Sequence, residues 1–199
     1  MQTIVTITGP TCSGKSTLAR YLEQNGIPEV RSFTTRAPRH DDTTYDFMTW
    51  EGVEALTPEE VIEKVEFNGN YYGSTVKQMN GALAKGAGIA AVVVDPHGVR
   101  QWKEAADRLN VRVHSIYLDQ TFDTLLRRFL ERCQHIHESR IPYEAKRLAG
   151  LMVNEFPKWR HEASYDLVVS GLGDGEESLE QRLLAYLRRI AKDNRLTTC

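Results

Sequence analysis

Residues 9–17 read GPTCSGKST and directly follow the apolar, β-branched run TIVTIT at residues 3–8. The residues that match the pattern G-x-x-x-x-G-K-[ST] without a gap are Gly9, Gly14, Lys15 and Ser16. Glycines let the backbone curl until its amide groups point at phosphate oxygens, and the lysine adds a positive charge there. A strand-like run before the loop and a helical pattern after it favour a nucleoside-triphosphate loop over a simple glycine-rich turn.

Composition limits the classes of function. The chain has 199 residues, 41 % of them hydrophobic, and a net charge of −2, which suits one domain with a core of ordinary size. The charge disfavours a broad nucleic-acid or anionic-membrane surface, and no signal peptide or membrane-spanning run is expected. The cysteines Cys12, Cys133 and Cys199 lack metal-binding spacing. We expect a cytoplasmic protein that binds neither nucleic acid nor membrane.

Strand-like and helical segments alternate along the chain. The strand candidates are residues 3–8, 44–49, 88–94, 111–118 and 166–170. The helix candidates are residues 15–25, 58–66, 75–85, 97–109, 121–132, 142–162 and 176–192. This alternation predicts an α/β fold of the P-loop NTPase type, with a parallel sheet core and helices on both faces. Ligands bind beyond the carboxyl ends of such strands, which places the 9–16 loop, Asp95 and the loop after Leu118 on one rim.

Two segments break the pattern of the core. Residues 32–87 carry short strands, turns and polar residues, and residues 133–147 interrupt the helical rhythm. Both are interpreted as insertions, which is where the moving parts of a phosphotransferase usually lie. We therefore expect a single domain over 1–199, with a core of residues 1–31, 88–132 and 148–199, an acceptor-binding insertion at 32–87 and a lid at 133–147.

The first insertion holds two informative blocks. Residues 32–47 read SFTTRAPRHDDTTYDF and residues 63–74 read EKVEFNGNYYGS. Guanidinium groups match the geometry of a phosphate monoester, and tyrosine hydroxyls can complete a clamp around it. The arginines of this candidate clamp are Arg36 and Arg39, and its tyrosines are among Tyr45, Tyr71 and Tyr72. The alternative is a solvated basic loop beside two core tyrosines.

The order and spacing of these blocks, together with the phosphate loop, closely resemble the guanylate kinase family over residues 3–170. The resemblance implies a core with a nucleotide-monophosphate insertion and a lid, and transfer of a phosphoryl group from ATP to GMP or dGMP with Mg²⁺. It places the guanine-binding residues at Ser32, Glu63, Ser74 and Asp95, and the phosphate clamp at Arg36, Arg39, Tyr45 and Tyr72. A carboxylate can accept both the N1–H and the exocyclic amine of guanine, whereas adenine offers no matching N1–H.

The resemblance also implies roles around the donor. ATP would lie on Gly9, Pro10, Thr11, Cys12, Ser13, Gly14, Lys15, Ser16 and Thr17, with Arg128 beside them. The catalytic residues implied are Lys15, Arg36, Arg132 and Arg147, and Ser16 is the expected Mg²⁺ ligand. The resemblance assigns Arg128, Arg132 and Arg147 to the lid. For these lid arginines, the alternatives are a solvated basic helix face or an ion pair with Glu131 or Glu144.

Three departures from the family pattern keep other functions open. Val93 stands where the family usually has an acid, the linker 39–45 is short, and the longer lid carries His135 and His137. The alternatives are a kinase of the same fold for another (deoxy)nucleotide monophosphate or a phosphorylated sugar, and a non-catalytic guanylate-kinase-like binding module. The intact phosphate loop argues against the module. Whether the protein is a monomer or a homo-oligomer stays undecided.

Overall fold

A parallel sheet of four strands, in the order β6-β1-β7-β8, forms the centre of the molecule. The strands are β1 (Gln2–Thr8), β6 (Ile89–Val93), β7 (Val111–Asp119) and β8 (Leu167–Ser170). The computed structural model describes residues 1–38, 45–67, 69–134, 137–170 and 178–196, with side chains to residue 190. All three strand pairings are parallel, as the sequence predicts, so the carboxyl ends of the strands share one rim.

Helices cover both faces of this sheet. One core cluster packs Val5 and Ile7 of β1 against α1 (Lys15–Gln24) and α8 (Leu179–Leu196). The other packs Ile4 of β1 against α3 (Val76–Lys85) and α4 (Pro96–Leu109). Successive side chains of a strand point to opposite faces, and both faces of β1 are buried, which confirms the predicted layers.

A second sheet lies within the first insertion, in the order β3-β2-β5-β4. Its strands are β2 (Ser32–Thr34), β3 (Tyr45–Phe47), β4 (Val61–Glu66) and β5 (Tyr71–Thr75), and the short helix α2 (Trp50–Glu54) follows β3. β5 pairs antiparallel with both β2 and β4. Of these strands, the sequence predicted only β3, as part of the candidate 44–49, whose residue 44 lies outside the described residues.

The predicted helix at 58–66 is wrong, because this stretch forms β4. Thr57 does begin a turn, and its backbone N–H donates to the Glu60 carboxylate at 2.9 Å, but no helix continues from it. A β-bulge between Val61 and Glu63 turns two neighbouring residues, Ile62 and Glu63, inward. The bulge replaces simple alternation of apolar residues with a spacing that is typical of a helix.

The second insertion lies among helices. α5 (Phe122–Cys133) leads towards it, and a 3₁₀ turn (Glu138–Arg140), α6 (Ile141–Gly150), a π-helical turn (Leu151–Glu155) and α7 (Phe156–Glu162) follow. The predicted helix 142–162 is therefore confirmed in extent but contains a π turn. Residues 135–136 of the predicted lid and residues 176–177 of the last predicted helix lie outside the described residues. Within the described ranges, no helix is long and apolar enough to cross a membrane.

Candidate functional site

The loop between β1 and α1 needs both of its glycines. A Cβ atom on Gly9 would lie 2.6 Å from the Ser13 Oγ and 2.8 Å from the Leu118 carbonyl oxygen, so no side chain fits there. Gly14 has a φ of 102°, a left-handed conformation that favours glycine, and it immediately precedes the first residue of α1. The loop consequently curls against the end of β7 and directs the N-terminus of α1 to the rim.

Lys15 is the first residue of α1 and folds back over the loop. Its Nζ donates to the carbonyl oxygens of Gly9, at 2.5 Å, and Pro10, at 2.9 Å. Burial lowers the pKa of Lys15 to about 8, and the carboxylate of Glu155 works in the opposite direction. The indole ring of Trp159 lies with its centroid 6.0 Å from the same Nζ. The ammonium group is thus held at the loop by groups from two separate parts of the chain.

The other loop residues differ in exposure. Thr11 and Ser13 are buried, whereas Ser16 and Thr17 are exposed in the first turn of α1. Burial raises the pKa of the Cys12 thiol, while Arg132, Arg147 and Lys15 oppose that rise. Arg128 reaches the loop from α5, where its Nη1 donates to the Cys12 carbonyl oxygen at 3.3 Å. The structure therefore brings Arg128 to the phosphate loop.

Three of the four guanine-binding candidates form a hydrogen-bonded chain in the second sheet. The Ser74 hydroxyl donates to Glu63 Oε1 at 3.1 Å, and the hydroxyls of Ser32 and Ser74 lie 3.2 Å apart. Since the single hydroxyl proton of Ser74 goes to the carboxylate, Ser32 donates to Ser74. The side chain of Glu63 is only 5 % exposed, so this chain of polar groups lies at a buried position.

The fourth candidate, Asp95, lies beside Glu63 at the start of α4. Its carboxylate caps that helix by accepting from the Gly98 N–H at 2.7 Å. Gly98 also leaves room for the neighbouring acid, because a Cβ there would lie 2.5 Å from Glu63 Oε2. Burial raises the pKa of Glu63 to about 7, with Ser74 opposing the rise and the Asp95 charge adding to it. Ser32, Glu63, Ser74 and Asp95 therefore meet where the small sheet packs on α4.

The candidate phosphate clamp is also assembled, as far as it is described. The guanidinium carbon of Arg36 lies 5.6 Å from the ring centroid of Tyr45. The rings of Tyr45 and Tyr72 pack edge to face with centroids 5.7 Å apart. The fourth predicted member, Arg39, lies outside the described residues. The described members support one another through aromatic and cation–π contacts.

A buried carboxylate holds the lid arginines. Glu144, at the start of α6, has a side chain only 5 % exposed, and three guanidinium groups surround it: Arg132 at 3.1 Å, Arg140 at 3.6 Å and Arg147 at 3.8 Å. The ion pair with Glu144 that the sequence left open is confirmed. Glu131 pairs instead with Arg127 at 2.8 Å. Arg132 and Arg147 are thus brought together by a shared acidic partner.

Sequence reasoning missed two residues that contact the phosphate loop. Glu155 accepts from the Thr11 N–H and, at 3.1 Å, from the Thr11 hydroxyl, although the residues are far apart in sequence. Trp159 covers Lys15 one turn later. Both lie on a stretch that reads as a plain helix. No motif distinguishes them, because their partners become neighbours only when α7 folds back over the rim.

The four-stranded parallel sheet and the glycine-rich loop between β1 and α1 define a P-loop phosphate-binding protein. A family model described as an AAA domain matches residues 5–149. The guanylate kinase of Trichormus variabilis is 31 % identical over 144 residues, which cover 68 % of this chain and 69 % of that protein. The chain belongs to the guanylate kinase family.

Other relatives agree with this assignment. The guanylate kinase of Nitrosospira multiformis is 31 % identical over 66 % of this chain, and the match spans 64 % of that protein, slightly under two thirds of its length. The guanylate kinase of Methylobacillus flagellatus is 27 % identical over 96 % of this chain and 91 % of that protein. A crystal structure of guanylate kinase from Anaplasma phagocytophilum shares the fold, with a TM-score of 0.57, 24 % identity and coverage of 100 % of this chain and 88 % of that one.

Proposed function

We propose that this protein transfers the γ-phosphoryl group of ATP to GMP or dGMP. The observation that carries the proposal is the buried Glu63 carboxylate, which accepts from Ser74 and lies beside Asp95 in a chain of the guanylate kinase family. Guanine presents two neighbouring donors, N1–H and the exocyclic amine, that one carboxylate accepts together. Adenine lacks the N1–H, so it would leave buried acceptors unpaired, and such mismatches are rejected strongly.

The donor and the transferring group have their own candidate residues. In this proposal the ATP phosphates lie on the 9–17 loop, with Lys15 and Arg128 neutralising charge. Arg36, Tyr45 and Tyr72, with Arg39, hold the acceptor phosphate, and Arg132 and Arg147 cover the transferring group. Phosphoryl transfer depends mostly on positioning and charge neutralisation, which arginine and lysine provide.

The exposed Ser16 hydroxyl at the start of α1 fits Mg²⁺ as a single protein ligand. Mg²⁺ in nucleotide sites keeps several waters and phosphate oxygens, which would complete its coordination beside this hydroxyl. The described residues contain no group of three or more acids, histidines or cysteines that could hold a metal. Val93 has no side-chain atom that could bind a metal, so water and ATP would supply the remaining ligands of Mg²⁺. Bound Mg²⁺ would neutralise charge on the β- and γ-phosphate oxygens.

The proposed organisation follows the same chemistry. Residues 32–87 act as the acceptor-binding part and residues 133–147 as the lid, both on a core of residues 1–31, 88–132 and 148–199. The lid would exclude water that could otherwise accept the phosphoryl group. The partners are free nucleotides, and the cytoplasm is the proposed location, in keeping with the free thiols of Cys12 and Cys133.

A coupled assay of ADP release tests the proposal. Purified protein with ATP and Mg²⁺ is offered each common NMP and dNMP in turn. We expect turnover with GMP or dGMP well above all others, and a Lys15→Met variant with turnover about 10²- to 10³-fold lower. Preference for another nucleotide or a sugar phosphate would instead support a kinase with a different acceptor. ATP binding without turnover on any acceptor would support a binding module.

A further inference from the structure

Glu155 connects the lid side of the molecule to the phosphate loop. It is the last residue of the π turn that follows α6, and its two carboxylate oxygens accept from the Thr11 N–H and the Thr11 hydroxyl. Thr11 is only 9 % exposed, so these hydrogen bonds lie in a largely buried position. A carboxylate with two donors on one residue fixes the position of that residue more tightly than a single contact would.

The π turn explains why Glu155 faces the loop. Arg147 and Glu155 are eight residues apart, which in a regular α-helix would place them about 80° apart around the axis. A π turn accommodates one extra residue and reduces that angle to about 20°. Arg147 and Glu155 therefore share one face, and both act electrostatically on Lys15 and Cys12. π turns often occur at functional sites for this reason.

We propose that Glu155 is a positioning residue for phosphoryl transfer: it braces the phosphate loop through Thr11 and keeps an anion beside Lys15. This inference rests on the proposed function. The carboxylate takes both of its donors from Thr11, near the start of the loop. No side chain among the described residues caps α1, whose first N–H groups are the ones that a phosphate would use.

The charge of Glu155 has a defined effect on Lys15. The groups that act on the ammonium are Glu155 and Cys12, which raise its pKa, and Arg147 and Arg132, which lower it, in addition to burial. Burial and the two arginines all lower the pKa of Lys15. Without the Glu155 charge, Cys12 is the one remaining group of this set that raises it. Since an opposite charge favours the charged form of its neighbour, the loss should lower the pKa of Lys15 further.

Glu155→Gln tests the proposal because it keeps the size of the side chain and one acceptor oxygen but removes the charge. We expect ATP to bind about tenfold more weakly. We also expect the alkaline decline of ATP binding to begin at a lower pH than in the wild type. The matched control is Glu162→Gln, an equal charge change at an exposed position of α7, which should alter neither. Glu155→Asp, which restores the charge, should recover most of the shift.

Direct titration of ATP, without an acceptor, measures the effect independently of the proposed reaction. Tighter ATP binding by Glu155→Gln would overturn the proposal, since it would identify the carboxylate as a competitor of phosphate. An unchanged affinity and pH profile would also overturn it. A Thr11→Val variant, which removes only the hydroxyl donor, supplies a second test if Glu155→Gln fails to fold. Thr11→Val should weaken ATP binding, but by less than Glu155→Gln does. Unchanged ATP binding by Thr11→Val would contradict a role of the Thr11–Glu155 contact in positioning the loop.

Titration with GMP separates the role of Glu155 from the identity of the acceptor. Glu155→Gln should bind GMP as the wild type does, because Glu63 and Ser74 lie in the other sheet. If the wild type binds neither GMP nor dGMP, the proposed acceptor is wrong while the ATP experiment still decides the role of Glu155. If the wild type binds GMP and Glu155→Gln does not, the variant has a general structural defect, and this would contradict a local positioning role.

Discussion

Glu63→Gln should make the protein more stable at neutral and alkaline pH while weakening GMP binding. Burial raises the pKa of Glu63 from 4.5 to about 7 in the folded protein. An acid whose pKa is raised on folding stabilises the protein below its ordinary pKa, and that contribution is lost as the pH rises through the folded value. The full shift corresponds to about 3 kcal/mol, of which about 2 to 3 kcal/mol falls between pH 5 and pH 8.

Chemical denaturation of both proteins at a series of pH values measures this difference. The two proteins differ only at residue 63, so the free energy of unfolding of the variant minus that of the wild type measures the effect of Glu63. It should rise by about 2 to 3 kcal/mol from pH 5 to pH 8. Asp95→Asn, which keeps a helix-capping side chain, should reduce the rise because it removes a charge that raises the Glu63 pKa. A difference that does not vary with pH would refute the reasoning.

The same substitution should weaken GMP binding about 100-fold, because the glutamine amide places a donor against a guanine donor. Below about pH 7 the wild type should also lose GMP affinity as the carboxylate gains a proton, and this cause of weakening is absent from the variant. Ionisation of the GMP phosphate affects both proteins equally, so the ratio of their affinities by calorimetry is the informative quantity. A ratio that is constant with pH would remove Glu63 from the acceptor pocket.

Three further outcomes are expected. The kcat/KM for ATP should fall above about pH 8 as Lys15 loses its proton, and an initial-rate profile level to pH 10 would contradict this. In urea denaturation, Gly73→Ala should lower the free energy of unfolding by about 1–3 kcal/mol, because its Cβ would lie 2.3 Å from a backbone oxygen of β4. Gly81→Ala has open space on α3 and should raise the free energy of unfolding by about 0.5–1 kcal/mol. By the same measurement, Glu144→Gln should lower the free energy of unfolding by about 1–3 kcal/mol. The exposed Glu131→Gln should lower it by less than about 0.5 kcal/mol.

The phosphate loop was predictable because its requirements are local. Its glycines, its lysine and the adjoining strand and helix lie within one short stretch, and each has a physical reason visible in the sequence. The structure places Gly9 against β7 and Gly14 at a positive φ, as such a loop requires. Alternating strands and helices likewise predicted the parallel sheet with both faces covered, since buried strands and amphipathic helices differ in apolar period.

The small sheet was harder to predict. The bulge at Ile62 and Glu63 gives β4 a spacing of buried residues that resembles a helix. β2 has only three residues, which is too short for an alternation of apolar and polar residues to be recognised. Even so, the resemblance to guanylate kinases directed attention to Glu63 and Ser74, which the structure joins by a hydrogen bond. Glu144 was only one of two acids that the sequence offered as partners of the arginines. Glu155 had no signal in the sequence, because its partner Thr11 lies far away along the chain.

The two lid-side carboxylates differ in what their hydrogen bonds hold, and this decides how each should affect phosphate binding. Arg132 and Arg147 both lower the pKa of Lys15, so the cations at this rim repel one another and an acidic neighbour stabilises them. Glu144 contacts the guanidinium heads that a phosphate would also contact. Glu155 instead bonds the backbone and hydroxyl of Thr11. Removing the charge of Glu144 therefore leaves phosphate-binding groups available at a cost in stability, whereas removing that of Glu155 loosens the loop on which the phosphates would lie.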